Sequence, residues 1–190
     1  MFTYISEKTV NRLIKKNVID ENDYEIYQYG LEQFFTTILN ITTVVVIGFL
    51  FGELWQGLLF VIAFMALRSY AGGYHEPTPI RCYLLTTLII ALSLSAIKYI
   101  KINTFACVGL LVMSGIVILL FSPSESANKP LDDIEYIIYR RKALVIWFVE
   151  ISIAVIFLFL NYMEVARCIV MSHLVLSVAI MLNRLRMKKS

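Results

Sequence analysis

Six apolar segments, each closed by polar or charged residues, set the strongest constraint on what this chain can fold into. A helix needs about 20 predominantly apolar residues to cross a hydrocarbon layer of about 30 Å. Of the 190 residues, 59% are hydrophobic, against about 45–50% in soluble domains. We therefore predict an all-α polytopic membrane protein, a single membrane-embedded domain over residues 1–190. The six expected spans lie near residues 34–51, 54–67, 83–97, 104–121, 143–162 and 166–182.

Residues 1–33 form a basic amphipathic segment before the first span. Val10, Leu13 and Ile14 fall on one helical face, with Lys and Arg residues beside them, and Ser6 is the predicted N-cap. Such a helix can lie in an anionic membrane surface or pack on a neighbouring cytoplasmic loop, and the pattern does not separate these two interpretations. The N-terminus lacks a basic region followed by an apolar core, so we expect no cleavable signal peptide.

The distribution of basic residues predicts the orientation of the spans. Cytoplasmic segments of membrane proteins carry an excess of Lys and Arg. With both termini inside, fourteen of the seventeen Lys and Arg residues fall on the cytoplasmic side. The two polar loops, 68–82 and 122–142, are then cytoplasmic as well. These short basic clusters are typical of membrane flanks, so we expect membrane lipids, not nucleic acid, as neighbours.

The loop after the second span contains the residues best suited to catalysis. His75, one of two histidines, precedes Cys82 by seven positions. Pro79 suits the first position of the next helix and Thr78 its N-cap, which places Cys82 in the first turn. There the helix dipole favours a thiolate, the nucleophilic form of cysteine, and exposed N–H groups could stabilise an oxyanion.

The intervening prolines decide whether the histidine can reach the cysteine. On a continuous helix His75 and Cys82 would be about 10 Å apart, but the Pro-Thr-Pro segment at 77–79 prevents such a helix and allows a fold-back. Gly72 and Gly73 would supply the backbone freedom for a close approach. The spacing thus favours a pair in which His75 activates Cys82 and later protonates a leaving amine. The alternative is a packing cysteine and a solvated histidine.

Other polar residues have weaker functional signals. The second span is short, so Arg68 is expected to extend its helix; it could also orient the loop, hold a substrate carboxylate, or snorkel to the interface. Glu150 is an intramembrane carboxylate, a common functional signal, although a polar partner would make it structural. Cys107 and Cys168 are expected to pack, with a disulfide as the alternative. Cys168 and His173 point to different sides of one helix, and His173 is interpreted as a packing residue.

No metal or cofactor site is predicted. The cysteines lack a CxxC spacing, and the segment around Glu125 and Asn128 has too few carboxylates to hold a cation. Two functions outside proteolysis remain open. A small transporter would use Glu150, with the polar loops as gates; a scaffold for a sensor kinase would need neither Glu150 nor Cys82.

The two polar loops contain two motifs, Arg68-x3-Gly72-Gly73-x-His75-x6-Cys82 and Pro123-x-Glu125-x2-Asn128-x-Pro130-Leu131. In this order and at these spacings, they resemble the motifs of the accessory gene regulator B family of Gram-positive bacteria. The chain length, the number of spans and the loop positions agree as well, so the resemblance covers nearly the whole chain.

The resemblance implies a cysteine endopeptidase of quorum sensing, multi-pass in the cell membrane and expected to form a homodimer. Cys82 and His75 would cut the C-terminal tail from an AgrD-like autoinducer precursor peptide. The cut would leave an acyl-enzyme thioester, which an internal cysteine of the peptide displaces to form a thiolactone, or a serine to form a lactone. Residues expected to shape the site or to contact the acidic tail are Arg68, Gly72, Gly73, Glu125, Asn128, Lys129, Arg140, Arg141 and Lys142.

Overall fold

The structure, a computed structural model, describes residues 2–74, 78–125 and 131–188. Over these ranges the chain forms seven α-helices and one short 3-10 turn, which confirms the all-α prediction. The helices are α1 (Thr3–Lys15), α2 (Tyr24–Phe51), α3 (Leu54–Ala71), α4 (Pro79–Tyr99), α5 (Thr104–Phe121), α6 (Asp133–Phe159) and α7 (Met163–Met187), with the 3-10 turn at Glu21–Asp23 before α2.

Helices α2 to α7 are each long and apolar enough to cross a membrane, so the chain is a multi-pass membrane protein. Several extend well beyond the apolar runs that mark them in the sequence. Helix α3 continues through Arg68 to Ala71. Helix α6 begins at Asp133, because the Asp132 side chain accepts a hydrogen bond of 2.6 Å from the Glu135 N–H and caps its first turn.

One face of the N-terminal helix is buried against the rest of the molecule. Ser6 and Val10 are buried, and α1 lies against α2, with the rings of Phe2 and Phe35 5.6 Å apart. The prediction that Ser6 caps this helix is wrong: the helix begins at Thr3, and the Ser6 N–H donates to the Phe2 carbonyl. Since the Phe2 contact holds the preceding turn in place, the helix gains that turn and Ser6 becomes an interior residue.

Helix α7 is the centre of the bundle and contacts α3, α4, α5 and α6. It contributes residues to each of three apolar clusters, through Cys168, through Leu176 and Ile180, and through Ile169 and Val170. Half of its most apolar stretch is buried, against 11% for α2. Because α3, α4, α5 and α6 all pack on α7, groups at the ends of α7 can connect loops that lie far apart in the sequence.

Candidate functional site

Helix α4 begins where the sequence predicts. Thr78 is the N-cap residue, Pro79 occupies the first turn, and the Cys82 N–H makes a helical hydrogen bond of 3.0 Å to the Thr78 carbonyl. Side chains in a helix lean toward its N-terminus, so the half-buried Cys82 thiol is directed back over the first turn. The Ile80 and Arg81 N–H groups in that turn have no intrahelical acceptor and can donate to an anion.

Arg68 links this thiol to the loop that precedes it. The guanidinium lies within electrostatic range of the Cys82 side chain. Its Nη2 donates a hydrogen bond of 2.7 Å to the Tyr74 carbonyl, and its plane stacks 5.4 Å from the Phe64 ring. Arg68 therefore holds the backbone at the residue before His75 while placing a positive charge near the sulfur.

The two polar loops meet at Gly72 and Ser124. They form a parallel bridge, in which the Ser124 N–H donates a hydrogen bond of 2.8 Å to the Ala71 carbonyl. A Cβ on Gly72 would lie 2.2 Å from the Ser124 carbonyl oxygen, and φ at Gly72 is 73°. Gly73 also has a positive φ, 132°. The backbone freedom of Gly72 is thus used for contact between the two motifs, whereas Gly73 lies against Ala179 of α7.

Both loops are attached to the C-terminal half of α7. The buried Asn183 side chain donates to Ser124 Oγ at 2.8 Å and to the Glu125 carbonyl at 2.6 Å. The Tyr74 N–H donates to the Ala179 carbonyl at 3.1 Å. Sequence reasoning did not identify Asn183; a buried amide within two turns of a basic tail was the available signal.

An open cavity of about 390 Å³ lies beside the joined loops. Arg68 and the glycine pair form part of its wall, and Cys82 does not line it. Arg68 therefore lines the cavity and also lies within electrostatic range of the thiol. A cavity of this size with one guanidinium and several aromatic rings can hold a short peptide segment. The remaining lining residues are Tyr29, Met65, Ser69, Tyr70, Pro123, Ser124, Glu125, Leu131 and Tyr139.

The other predicted site residues divide into three groups. His75, Asn128 and Lys129 lie outside the described residues. Arg140 directs its Nη1 and Nη2 atoms to the Ser122 and Leu119 carbonyls, at 3.2 and 3.4 Å, and so caps the end of α5. The two basic residues that follow it, at 141 and 142, are exposed to solvent.

Glu150 has a partner that sequence analysis assigned to packing. The Glu150 Oε2 and His173 Nε2 atoms lie 2.8 Å apart, and His173 is fully buried. Its Nδ1 atom has no hydrogen-bond partner within the parts of the chain that the structure describes. In the sequence, Glu150 and His173 lie at nearly equal separations before and after Asn161, in the turn between α6 and α7. In an antiparallel pair of helices this spacing places the two residues at the same depth, and it was the available signal for their pairing.

Cys107 and Cys168 are buried as thiols, each in an apolar cluster. The packing interpretation is therefore confirmed for both, and the alternative disulfide is absent. Among residues 2–74, 78–125 and 131–188, no group of three His, Cys, Asp or Glu side chains is placed to hold a metal ion. The reactive group that the described site offers is the Cys82 thiol.

The fold and the site together define a polytopic membrane protein with a cysteine at the mouth of one spanning helix and two polar loops joined beside it. Comparison with known proteins places the chain in a family. The model of the accessory gene regulator B family, AgrB, matches residues 6–182. The chain therefore belongs to the accessory gene regulator B family.

Individual relatives are distant in sequence. An AgrB-like protein of Clostridium perfringens is 29% identical over 136 residues, which cover 65% of this chain and 64% of the relative. A second AgrB-like protein of that species is 27% identical over 136 residues, with the same coverage. The chain thus spans slightly less than two thirds of these two relatives. An AgrB-like protein of Listeria monocytogenes is 26% identical over 144 residues, 74% of this chain and 71% of the relative. No solved structure matches the chain.

Proposed function

We propose that this protein is a membrane cysteine endopeptidase that removes the C-terminal tail of an autoinducer precursor peptide in quorum sensing. The observation that carries the proposal is the position of Cys82: half-buried in the first turn of α4, within electrostatic range of Arg68. Membership of the accessory gene regulator B family supports the substrate class. The orientation, with both termini and both polar loops cytoplasmic, belongs to the same proposal.

In the first step the Cys82 thiolate attacks the scissile carbonyl carbon. The negative charge that develops on the carbonyl oxygen is stabilised by N–H groups of the first turn of α4. His75, having taken the thiol proton, gives a proton to the leaving amine as the carbon–nitrogen bond breaks. The products are the released C-terminal tail and an acyl thioester on Cys82.

In the second step the thiol of an internal cysteine of the peptide gives its proton to His75, and its sulfur attacks the carbonyl carbon of the thioester. The new carbon–sulfur bond closes a thiolactone, and Cys82 leaves as a thiolate, ready for the next cycle. Exchange between two thioesters keeps the acyl group activated, whereas attack by water would release a linear acid. Water exclusion at the membrane surface therefore favours the cyclic product.

The rival function, a transporter that uses Glu150, has less support. The Glu150 carboxylate is already paired with buried His173, which is the arrangement expected of a structural contact between α6 and α7. A transporter would also require the carboxylate to be accessible first from one side of the membrane and then from the other.

The test uses detergent-solubilised protein and a synthetic peptide with an amphipathic leader, one internal cysteine and an acidic tail. Wild type should release the tail, whereas Cys82→Ala and His75→Ala should not. Cys107→Ala is the matched control, since it removes a buried thiol from the distant apolar cluster of α5 and should retain activity. Tail release by Cys82→Ala at the wild-type rate would overturn the proposal.

A second peptide, with its internal cysteine replaced by alanine, isolates the first step. This peptide can acylate Cys82 but cannot close the ring, so intact-mass measurement should find an adduct on the protein. Hydroxylamine should remove the adduct, because it cleaves thioesters. A tail-free peptide with no adduct at any reaction time would indicate direct attack by water instead.

The acidic tail is proposed to bind exposed basic residues of the second loop. Arg141→Ala should raise KM several-fold with little change in kcat, and added salt should reduce the difference. Lys101→Ala is the control, because Lys101 is also exposed but lies at the opposite end of the bundle. An equal KM in the two variants would exclude this contact.

A further inference from the structure

The two family motifs are separated by two membrane-spanning helices, and yet they form one folded unit. Gly72 and Ser124 pair through a parallel bridge, and the Ser124 N–H donates to the Ala71 carbonyl. At a loop surface such a single bridge is weak by itself, because water competes for each of its groups. The bridge between Gly72 and Ser124 therefore depends on further contacts that hold the two segments in place.

Asn183 provides that support from α7. Its side-chain NH₂ group has two hydrogens, and the two acceptors within reach are Ser124 Oγ at 2.8 Å and the Glu125 carbonyl at 2.6 Å. The residue is only 6% exposed, so water cannot easily replace either bond. Both donors are thus directed at consecutive residues of the second motif.

The first motif is held by the same part of α7. The Tyr74 N–H donates to the Ala179 carbonyl, one helical turn before Asn183. The Tyr74 carbonyl accepts from Arg68, and the Arg186 guanidinium lies 5.5 Å from the Tyr74 ring. Tyr74 immediately precedes His75 in the sequence, so these contacts fix the position of the backbone just before the proposed catalytic histidine.

We propose that Asn183 is a positioning residue for the peptidase reaction. Asn183 holds the second motif on α7. The second motif in turn contacts the backbone at Gly72, next to the segment that leads to His75. The inference rests on the proposed function, since it assigns Asn183 an effect on the geometry of the Cys82 and His75 pair. Asn183 itself contacts neither the thiol nor a reacting atom.

Kinetics distinguishes positioning from binding. Asn183→Ala removes both bonds and leaves two half-buried acceptors without donors, so we expect kcat to fall about 10- to 100-fold. KM should change by a smaller factor than kcat, because Asn183 does not line the cavity itself and affects it only through Ser124 and Glu125. Ser177→Ala is the control: it removes a buried hydroxyl of the same helix that donates a local hydrogen bond to the Leu174 carbonyl, and it should keep wild-type kcat.

A double-mutant cycle shows whether the effect passes through Ser124. Ser124→Ala removes one acceptor and should lower kcat by a smaller factor than Asn183→Ala. If the two residues act together, the double variant should lose less than the product of the two single losses. This second variant approaches the contact from the loop, so it tests the inference even where Asn183→Ala folds poorly. Fully multiplicative losses would contradict the coupling.

Hydrogen exchange gives a readout that does not depend on catalysis. The Ser124 and Tyr74 amides should exchange faster in Asn183→Ala than in wild type and remain unchanged in Ser177→Ala. Faster exchange with unaltered kcat would overturn the positioning role, as would unaltered exchange with unaltered kcat. If wild type fails to cleave any precursor, the peptidase proposal and the positioning role fall together, and the exchange data still decide whether Asn183 anchors the loops.

Discussion

Replacement of Gly72 by alanine tests how the two loops are joined. The residue has φ 73° and ψ −151°, a region that is essentially restricted to glycine. The added Cβ would also lie 2.2 Å from the Ser124 carbonyl oxygen, far inside contact distance, and that neighbour is backbone. Neither problem can be relieved by a side-chain rotation, so the loops must move apart.

The expected cost combines two effects. Forcing a non-glycine residue into this conformation costs about 1–3 kcal/mol. Separation of the loops also removes the hydrogen bond from the Ser124 N–H to the Ala71 carbonyl, which contributes about 1 kcal/mol. We therefore expect Gly72→Ala to destabilise the joined loops by about 2–4 kcal/mol.

Gly52→Ala and Gly30→Ala are controls that separate these effects. Gly52 also has a positive φ, 70°, but an added Cβ would have no atom within 4 Å. Its replacement should cost only the conformational strain, about 1–2 kcal/mol. Gly30 lies inside α2 with open space around it, so alanine there should stabilise the helix by up to about 1 kcal/mol.

The assay is thermal unfolding in detergent together with amide exchange at residues 122–125. Gly72→Ala should show the largest loss of stability and faster exchange at Ser124. Gly52→Ala should show a smaller loss and wild-type exchange at that amide. Equal losses for the two variants, with Ser124 still protected, would refute the argument that backbone contact between the loops selects glycine at position 72.

Three further predictions concern packing and capping. Glu150→Leu should destabilise the protein by about 1–3 kcal/mol because it leaves buried His173 without its partner, and adding His173→Leu should restore part of the loss in thermal unfolding. Gly115→Ala should destabilise by about 1–3 kcal/mol because its Cβ would lie 2.9 Å from an indole ring of α6, whereas Gly109→Ala, with open space around it, should not. Arg140→Ala should cost about 1–3 kcal/mol, since the carbonyls that end α5 lose their donors, and it should increase amide exchange near residue 122.

The helices of this protein could be predicted from sequence because a membrane leaves few alternatives. In the hydrocarbon layer each backbone polar group must be paired within the chain, so a long apolar run is a helix. Pro79 marks the start of α4 equally well, since it fits only the first turn. Helix ends in water were less predictable: α6 begins at Asp133, before its apolar run, because capping by Asp132 outweighs the change in composition.

Contacts between distant residues could not be derived from the same patterns. The apolar composition of α7 predicts a membrane span, but it does not show which face meets which neighbour. Glu150 was identified as unusual, and its partner His173 was not, because the pairing depends on the rotation of two helices about their axes. Similarly, the need for glycine at position 72 was expected, but the group that approaches it, the Ser124 carbonyl, became evident only from the fold.

These contacts explain why two polar motifs occur together in one membrane chain. The backbone groups of a loop near a membrane surface need partners, and each motif supplies them to the other through Ala71, Gly72 and Ser124. Both motifs are also attached to α7, through Ala179 and Asn183, so the structure provides a direct route by which a change in one loop can reach the other. Substitutions in the second motif should therefore lower turnover at a thiol that they do not touch, by weakening the surface against which the first motif is held.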